Sequence, residues 1–149
     1  MEDLNLPSYS FQFREDTKKT QIFDQTRKKY YILTPEEWVR QNIIEYLVRE
    51  KGCPRSHIAV EQSLTLNTLN KRADLIVYNN VLQPALIVEC KAPEIKITQK
   101  AFDQIGRYNM VFKVPYLMVT NGLTHYCAQI NFNDNQIDFL REIPHYEKY

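Results

Sequence analysis

The N-terminal part of the chain alternates aromatic and polar residues over short runs. Tyr9–Phe13 alternates strictly, and the runs Gln21–Asp24 and Lys29–Leu33 flank the polar stretch 25–28. A period of two is typical of strands, so we expect a strand in the first run and a β-hairpin from the other two. Residues 1–8 precede these patterns and are expected to form a flexible tail.

Two later segments carry the spacing of helices. Thr34 suits an N-cap, Pro35 suits the first helical position, and Glu37 completes a capping box. This helix is predicted to end near Lys51, where glycine follows. A second helix is predicted over residues 98–113, where apolar side chains recur on one face: Ala101, Ile105, Tyr108 and Phe112.

Six apolar segments of strand length follow the first helix, at residues 58–61, 64–66, 73–78, 85–91, 115–120 and 125–131. Leu75–Val77 and Leu86–Val88 are unbroken rather than alternating, as expected of central strands covered on both faces. Asn121-Gly122 is a strong signal for a hairpin turn. The pattern predicts one α/β domain spanning residues 1–149.

Composition narrows the class of protein. A chain of 149 residues with 44% hydrophobic and 25% charged residues is typical of a globular domain. The three cysteines are widely spaced and form no CxxC pair, so neither a disulfide framework nor a zinc site is indicated, and we expect a cytoplasmic protein. No apolar stretch approaches the ~18 residues of a membrane span. Since the net charge is only +1, any nucleic-acid affinity must come from a local patch and must weaken with salt.

Charged residues interrupt the core pattern at two places. Glu89 and Lys91 directly follow one unbroken apolar strand, and Asp74 directly precedes the other. Strand alternation puts Glu89 and Lys91 on one face. If the two strands form a hairpin with residue 79 opposite residue 84, the same register places Asp74 opposite Glu89.

Two such opposed carboxylates have the chemistry of a metal site. Their Cβ atoms would lie about 4.5–5.5 Å apart, near enough for Asp74 and Glu89 to hold one small cation. Oxygen ligands without His or Cys favour Mg²⁺ or Mn²⁺ over Zn²⁺. Lys91 would then stabilise charge on a phosphate or help to orient an attacking water. The structural alternative is a Glu-x-Lys pair that forms a salt bridge or a solvated strand edge.

These residues resemble a known nuclease motif. Asp74 followed by Glu89-Cys90-Lys91 resembles the PD-(D/E)XK motif, with Ala73 in place of proline. Thr34–Gln41 and Gln104–Tyr108 resemble the N-terminal nuclease domain of type I restriction enzyme R subunits and its stand-alone relatives, over roughly residues 20–130. The resemblance implies a central mixed β-sheet flanked by helices, a restriction-endonuclease-like core, with an N-terminal β-hairpin. It also implies a Mg²⁺- or Mn²⁺-dependent endonuclease acting on DNA.

The resemblance further implies roles for single residues. Asp74 and Glu89 would be metal ligands, Lys91 the catalytic lysine, and Gln104 with Tyr108 a Gln-x-x-x-Tyr pair on the second helix. The last two residues lie four apart on one helical face, so a structural pair that hydrogen-bonds to the sheet is the alternative.

Some relatives add a glutamate from the first helix. Glu37 is our choice for it, with Glu36 and Glu45 as alternatives, although a capping box alone also explains Glu37. Lys71 and Arg72, at the start of the strand that carries Asp74, are candidates for nucleic-acid contacts at the rim of the cleft.

The resemblance also bears on partners. The chain contains no GxxxxGK[ST] motif, so we do not expect it to translocate DNA, and it is either a stand-alone protein or a fragment. One such site cuts one strand, so double-strand cutting would need a homodimer or a partner subunit. The rival hypothesis is a nuclease-like module without activity that binds nucleic acid or a partner protein. The sequence leaves the form of the nucleic acid open.

Overall fold

Nine strands and two helices build two β-sheets. The computed structural model describes all 149 residues. A three-stranded antiparallel sheet, β1 (Phe13–Asp16), β2 (Lys19–Asp24) and β3 (Lys29–Ile32), precedes helix α1 (Pro35–Lys51). Helix α2 (Gln99–Met110) and a six-stranded sheet follow, whose strands lie in chain order: β4 (Ile58–Leu66), β5 (Leu69–Tyr78), β6 (Pro84–Cys90), β7 (Tyr116–Thr120), β8 (His125–Asn131) and β9 (Gln136–Leu140).

The six-stranded sheet is mixed. Strands β6 and β7 are parallel, and every other neighbouring pair is antiparallel. Parallel neighbours need a crossover connection, and α2 supplies it between β6 and β7. The expected fold class, a central mixed sheet with helices and an N-terminal hairpin, is confirmed.

The two helices cover opposite faces of the central strands. Side chains of α1 form one buried cluster with Leu86 and Val88, whereas Ile87 lies in a second cluster around Phe102 of α2. Because strand side chains alternate between faces, β6 is covered on both sides, as its unbroken apolar sequence indicated. Neither helix is long and apolar enough to cross a membrane.

Helix α1 begins and ends at the predicted signals. Thr34 accepts a hydrogen bond from the Glu37 N–H at 3.0 Å, and Gly52 closes the helix with a left-handed φ of 73° and an N–H bond to Leu47 O. The reciprocal half of the capping box is absent, because the Thr34 N–H bonds to Ile32 O. The Glu37 carboxylate is therefore free for other partners.

The first predicted strand is displaced in the structure. β1 begins at Phe13 and extends to Asp16, so residues 9–12 lie outside it. Phe11 packs edge-on against Trp38 of α1, with 5.4 Å between ring centroids. The aromatic alternation in this segment thus reflects packing against α1 more than strand pairing.

Two predicted strands, at 58–61 and 64–66, are one strand in the structure. Their shared register with β5 continues on both sides of Glu61, which has a positive φ of 52° and interrupts the ladder opposite Asp74. Strand β9 was not predicted at all. It is a short edge strand paired only with β8.

The loop between β5 and β6 also differs from the expected four-residue loop. A register shift after Val77 places Tyr78, not residue 79, opposite Pro84. Asn79 stabilises the loop, because its N–H bonds to Gln83 O at 2.9 Å and its Oδ1 accepts the Gln83 N–H at 3.0 Å.

The segment 1–8, for which a flexible tail was expected, contacts the rest of the chain in the structure. The Asn5 N–H bonds to Gly122 O at 2.8 Å, and Glu2 O accepts a hydrogen bond from Trp38 Nε1 at 2.9 Å. Gly122 has a φ of +85° in the predicted hairpin turn, and a Cβ there would lie 2.7 Å from the Leu4 side chain. The positive φ favours glycine at this turn, whereas the contact with the flexible end of Leu4 could be relieved by a small movement of that side chain.

Candidate functional site

The register between β5 and β6 brings the two candidate acids to neighbouring positions. Leu75 lies opposite Val88, as expected from the sequence, and the next step of the same register places Asp74 beside Glu89. The bulge near the loop does not disturb this end of the hairpin.

Asp74 is fixed by two donors. Its Oδ2 accepts the backbone N–H of Cys90 at 2.7 Å, and its Oδ1 accepts a hydrogen bond from Arg40 Nη2 at 3.0 Å. The first bond holds the carboxylate at the end of β6, directly beside residue 89. The second links it to α1.

Glu89 is buried and faces a different cation. It is 8% exposed, and its Oε1 lies 2.7 Å from Lys71 Nζ. The contact is an ion pair without good hydrogen-bond alignment, since Oε1 is a buried oxygen without a hydrogen-bond partner. Burial raises the pKa of the Glu89 carboxyl, Lys71 opposes that shift, and the charge of Asp74 adds to it.

The chemistry of these oxygens fits a hard divalent cation. Asp74 and Glu89 supply carboxylate oxygens, one of which is buried and without a hydrogen bond. No cluster of three or more acidic, histidine or cysteine side chains could hold a metal. Mg²⁺ is commonly held by one or two carboxylates, with water and substrate phosphate completing the coordination. The two carboxylates are therefore compatible with a partly hydrated cation of this kind.

Lys91 directly follows β6 and is exposed. Its backbone N–H bonds to Thr120 O on β7 at 2.8 Å, which fixes the main chain at this point. Burial raises the pKa of both Glu36 and Glu89, and the charge of Lys91 opposes the shift in each case. The ammonium is thus close enough to act electrostatically on both carboxyls.

The Gln-x-x-x-Tyr pair lies on the exposed side of α2. Gln104 is exposed, and Tyr108 is 45% exposed. The Tyr108 ring lies 5.5 Å from Lys71 Nζ, so this tyrosine is linked to Glu89 through the lysine.

Glu37 lies within a buried ionic network. Both of its oxygens accept hydrogen bonds from Arg27 Nη2 at 2.9 Å, and Oε1 also accepts one from Arg40 Nη1 at 2.8 Å. Arg40 in turn binds Asp74. Glu37 is therefore connected to the candidate site through Arg40. The sequence did not point to Arg40.

The other two first-helix glutamates lie in different surroundings. Glu36 is largely exposed, with Oε1 3.5 Å from Arg40, and burial together with the charge of Asp74 raises its pKa. Glu45 is buried two turns further on, where it pairs with Arg55 at 2.6 Å. The structure does not bring Glu45 to Asp74.

The adjacent basic residues on β5 point to different partners. Lys71 pairs with Glu89, whereas Arg72 is exposed and pairs with Glu61 at 3.0 Å. Of the two candidates for nucleic-acid contacts, only Lys71 contacts a candidate metal ligand.

An acidic cavity lies beside the site. It has a volume of about 680 Å³ and is lined by β3, the start of α1 and the segment after Lys91, including Tyr30, Tyr31, Glu36, Arg40, Glu61 and Glu94. Carboxylates repel a phosphate backbone. The cavity is therefore an unfavourable place for a phosphate group.

Comparison with known proteins identifies the family. The family model for the N terminus of type I restriction enzyme R proteins matches residues 35–144. The chain belongs to this family. None of the curated proteins compared with it has a matching sequence.

A solved structure supports the fold of this R-protein N-terminal domain. It is a fragment of a presumed HsdR subunit of a type I restriction enzyme from Vibrio vulnificus YJ016, with a TM-score of 0.52 and 18% sequence identity. The match covers 77% of this chain and 24% of that chain, so this chain corresponds to about a quarter of the solved fragment.

Glu61 is a second residue that the sequence reasoning missed in this family member. It lies in the β4 irregularity opposite Asp74, and its carboxylate is 3.6 Å from Arg27 and 3.7 Å from Arg40. Glu61 closes the strand predicted at 58–61, and the polar Gln62-Ser63 that follows resembled a turn, so the sequence gave no signal that the strand continues past it.

Replacing Glu37 with Gln should lower the free energy of unfolding by about 2–4 kcal/mol, because it leaves buried Arg27 and Arg40 without one carboxylate. Urea denaturation measures this loss. Glu50→Gln, on the exposed side of the same helix, should change stability by less than about 0.5 kcal/mol. Mn²⁺ affinity should change little in Glu37→Gln. A folded Glu37→Gln variant that no longer binds Mn²⁺ would show instead that Glu37 is a metal ligand.

Asp24 anchors the other end of this network. Its fully buried carboxylate accepts the N–H groups of Thr26 and Arg27 and the Arg27 side chain, which also binds Glu37. Burial alone would raise the pKa of Asp24, but these hydrogen bonds outweigh it and hold the pKa below 3.8. The ionised form is therefore the one that stabilises the fold.

Asp24→Asn should destabilise the protein at pH 7 by about 1–3 kcal/mol. A depressed folded-state pKa gives stability that is complete above the unfolded-state pKa and is lost as the pH falls through the folded-state pKa. The difference between wild type and variant should therefore shrink below pH 3.8. Urea denaturation across pH 2.5–7, with exposed Asp138→Asn as control, measures it, and a difference independent of pH would contradict the assignment.

Proposed function

We propose that the chain is a Mg²⁺- or Mn²⁺-dependent nuclease domain that hydrolyses phosphodiester bonds of DNA. The observation that carries this proposal is the neighbouring placement of Asp74, in the middle of β5, and Glu89, near the end of β6, with Lys91 directly after β6. Membership of the R-protein N-terminal family supports it.

The chain's own residues divide the work in this proposal. Asp74, held by the Cys90 N–H, and Glu89, whose buried Oε1 is paired with the Lys71 ammonium, would hold the cation. The bound cation would neutralise the two carboxylates, polarise the scissile phosphate and lower the pKa of a water molecule. Lys91 would donate to a phosphate oxygen or to the attacking water, where it stabilises the charge that develops in the transition state.

Nicking of supercoiled plasmid DNA in the presence of Mg²⁺ or Mn²⁺ tests the proposal. We expect relaxed circles to accumulate with either metal and to vanish with EDTA. Glu89→Gln, purified in parallel, controls for contaminating nucleases. A folded chain that binds Mn²⁺ but nicks no DNA would contradict the proposed reaction.

DNA binding by the isolated chain should be weak and dependent on salt. A net charge of +1 and an acidic cavity leave few positions where the protein can neutralise a phosphate, and salt screens those that remain. Fluorescence anisotropy with a labelled duplex should show affinity falling at least about tenfold between 50 and 200 mM NaCl. A tight complex at high salt would point instead to a specific binding surface elsewhere.

The proposal extends to location and partners. Three buried free cysteines suit a reducing compartment, so we place the protein in the cytoplasm. Because one site of this type would cut one strand, double-strand cleavage would need a second copy or a partner subunit. Linear product without a nicked intermediate, at concentrations where the chain is monomeric, would contradict that requirement.

A second candidate function is a module that binds nucleic acid or a partner protein without cleavage. The observation that favours it is the pairing of Asp74 with Arg40 and of Glu89 with Lys71. These ion pairs compensate the negative charge of both carboxylates without a metal. This candidate predicts a folded protein without measurable Mn²⁺ binding. Calorimetric titration with Mn²⁺ separates the two functions before any cleavage assay.

A further inference from the structure

We propose that Lys71 is a built-in counter-ion that competes with the divalent cation for Glu89 and so sets the metal affinity of the site. The inference rests on the proposed function, because it concerns the same two carboxylates. It assigns Lys71 a role in metal binding that differs from a phosphate contact at the rim of the cleft.

The geometry places the lysine against the oxygen that a metal would use. Lys71 Nζ lies 2.7 Å from Glu89 Oε1, and the lysine side chain is only 20% exposed. This oxygen is buried and receives no aligned hydrogen bond. A cation that coordinates Oε1 would meet the ammonium at short range, and two positive charges there repel each other strongly. Metal binding therefore requires the ammonium to move.

Lys71 is the cation of the site that can leave. Arg40 is held by several carboxylates, since it contacts Glu37 at 2.8 Å and Asp74 at 3.0 Å and has Glu36 and Glu61 within 4 Å. Lys71 forms one ion pair, with Glu89. A flexible lysine with one poorly aligned partner is easier to displace than a guanidinium held on several sides.

Tyr108 offers the displaced ammonium a second position. Its ring centroid lies 5.5 Å from Lys71 Nζ, and the ring is 45% exposed. An aromatic face at this distance attracts a cation. The ammonium could thus leave Glu89 without losing all favourable contacts, and it would remain at the exposed side of α2.

Calorimetric titration of Mn²⁺ into the apo protein tests the competition. Lys71→Met removes the ammonium and should bind Mn²⁺ about tenfold more tightly than wild type, because an adjacent opposite charge biases a carboxylate by that order. Lys71→Arg keeps the positive charge and should return the affinity to the wild-type value or below it. Exposed Lys100→Met gives the same change in net charge and should leave the affinity unchanged.

The outcomes separate this inference from the proposed function. Equal Mn²⁺ affinity in wild type and Lys71→Met would overturn the competition while leaving the metal site intact. Absence of Mn²⁺ binding in both proteins would overturn the metal site, and the inference with it. If Lys71→Met does not fold, Lys71→Gln, which is also neutral but can donate to Glu89, should show the same tightening.

Discussion

Glu89→Gln should abolish measurable Mn²⁺ binding and reduce plasmid nicking by about a hundredfold or more. The amide keeps the volume of the side chain but removes one of the two neighbouring carboxylates that we propose as ligands of the cation. Its remaining carbonyl oxygen is a weaker ligand and carries no net charge to offset the charge of the metal. Calorimetric titration and the nicking assay measure the two losses independently.

The same substitution should leave the fold intact. Burial raises the pKa of Glu89, so the charged form is already penalised in the folded protein, and a neutral amide avoids that cost. Circular dichroism and urea denaturation provide the control. Unchanged Mn²⁺ affinity in a folded Glu89→Gln variant would exclude Glu89 as a ligand.

Substitutions of Asp74 test metal binding less directly, because they also affect the stability of the fold. Its carboxylate binds the Cys90 N–H and Arg40, so Asp74→Ala leaves a backbone donor and a buried guanidinium with one partner fewer. Two adjacent like charges repel, so removing one of them would by itself favour the fold. Because the structure gives Asp74 these two partners, we expect a net loss of about 1–3 kcal/mol in the free energy of unfolding. Asp74→Asn reduces this cost because its amide oxygen can still accept.

The parts of the fold that the sequence predicted are those set by local rules. Helix α1 has a threonine cap, a proline and a closing glycine within its own sequence, and each has its expected role in the structure. The register between β5 and β6 followed from one assumption about a hairpin, because antiparallel pairing propagates over the whole strand. The predicted length of the loop was wrong. The bulge near Tyr78 absorbs the difference, so the register at the far end of the two strands is as expected.

The ionic network could not be predicted from the sequence, because its members are distant along the chain. Arg27 in the β2–β3 turn, Arg40 on α1 and Glu61 on β4 meet only after the small N-terminal sheet has packed near the start of α1. Each residue reads as an ordinary surface charge in its own segment. Their partners are fixed by tertiary packing, which no period of two or 3.6 residues encodes.

The assignment of faces shows the same limit. Alternation predicted that Glu89 and Lys91 share a face, but it said nothing about which basic residue would meet Glu89. Lys71 does so from β5, three residues before Asp74. The positive φ of Glu61 interrupts the neighbouring β4 ladder at this level, and such a break in regular strand geometry is often located near functional sites.

Lys91→Met should reduce plasmid nicking by ~10²–10³ while leaving Mn²⁺ affinity unchanged. An ammonium has no lone pair to offer a metal, so Lys91 is not expected to be a ligand. It is exposed directly after β6, where it can reach a phosphate oxygen or the attacking water once substrate is bound. Nicking rates under saturating Mn²⁺ and calorimetric titration of the same preparation measure the two effects, with exposed Lys96→Met as the charge-matched control.

The contrast with Lys71 makes this prediction specific. Both lysines act electrostatically on Glu89, but only Lys71 lies in contact with its carboxylate, so only Lys71→Met should tighten Mn²⁺ binding. If Lys91→Met also increased the affinity for Mn²⁺ and left nicking largely intact, Lys91 would be a counter-ion of the metal-free protein, like Lys71. The transition-state charge would then have to be stabilised by the metal and the remaining cations, and Lys91 would have no part in the chemical step.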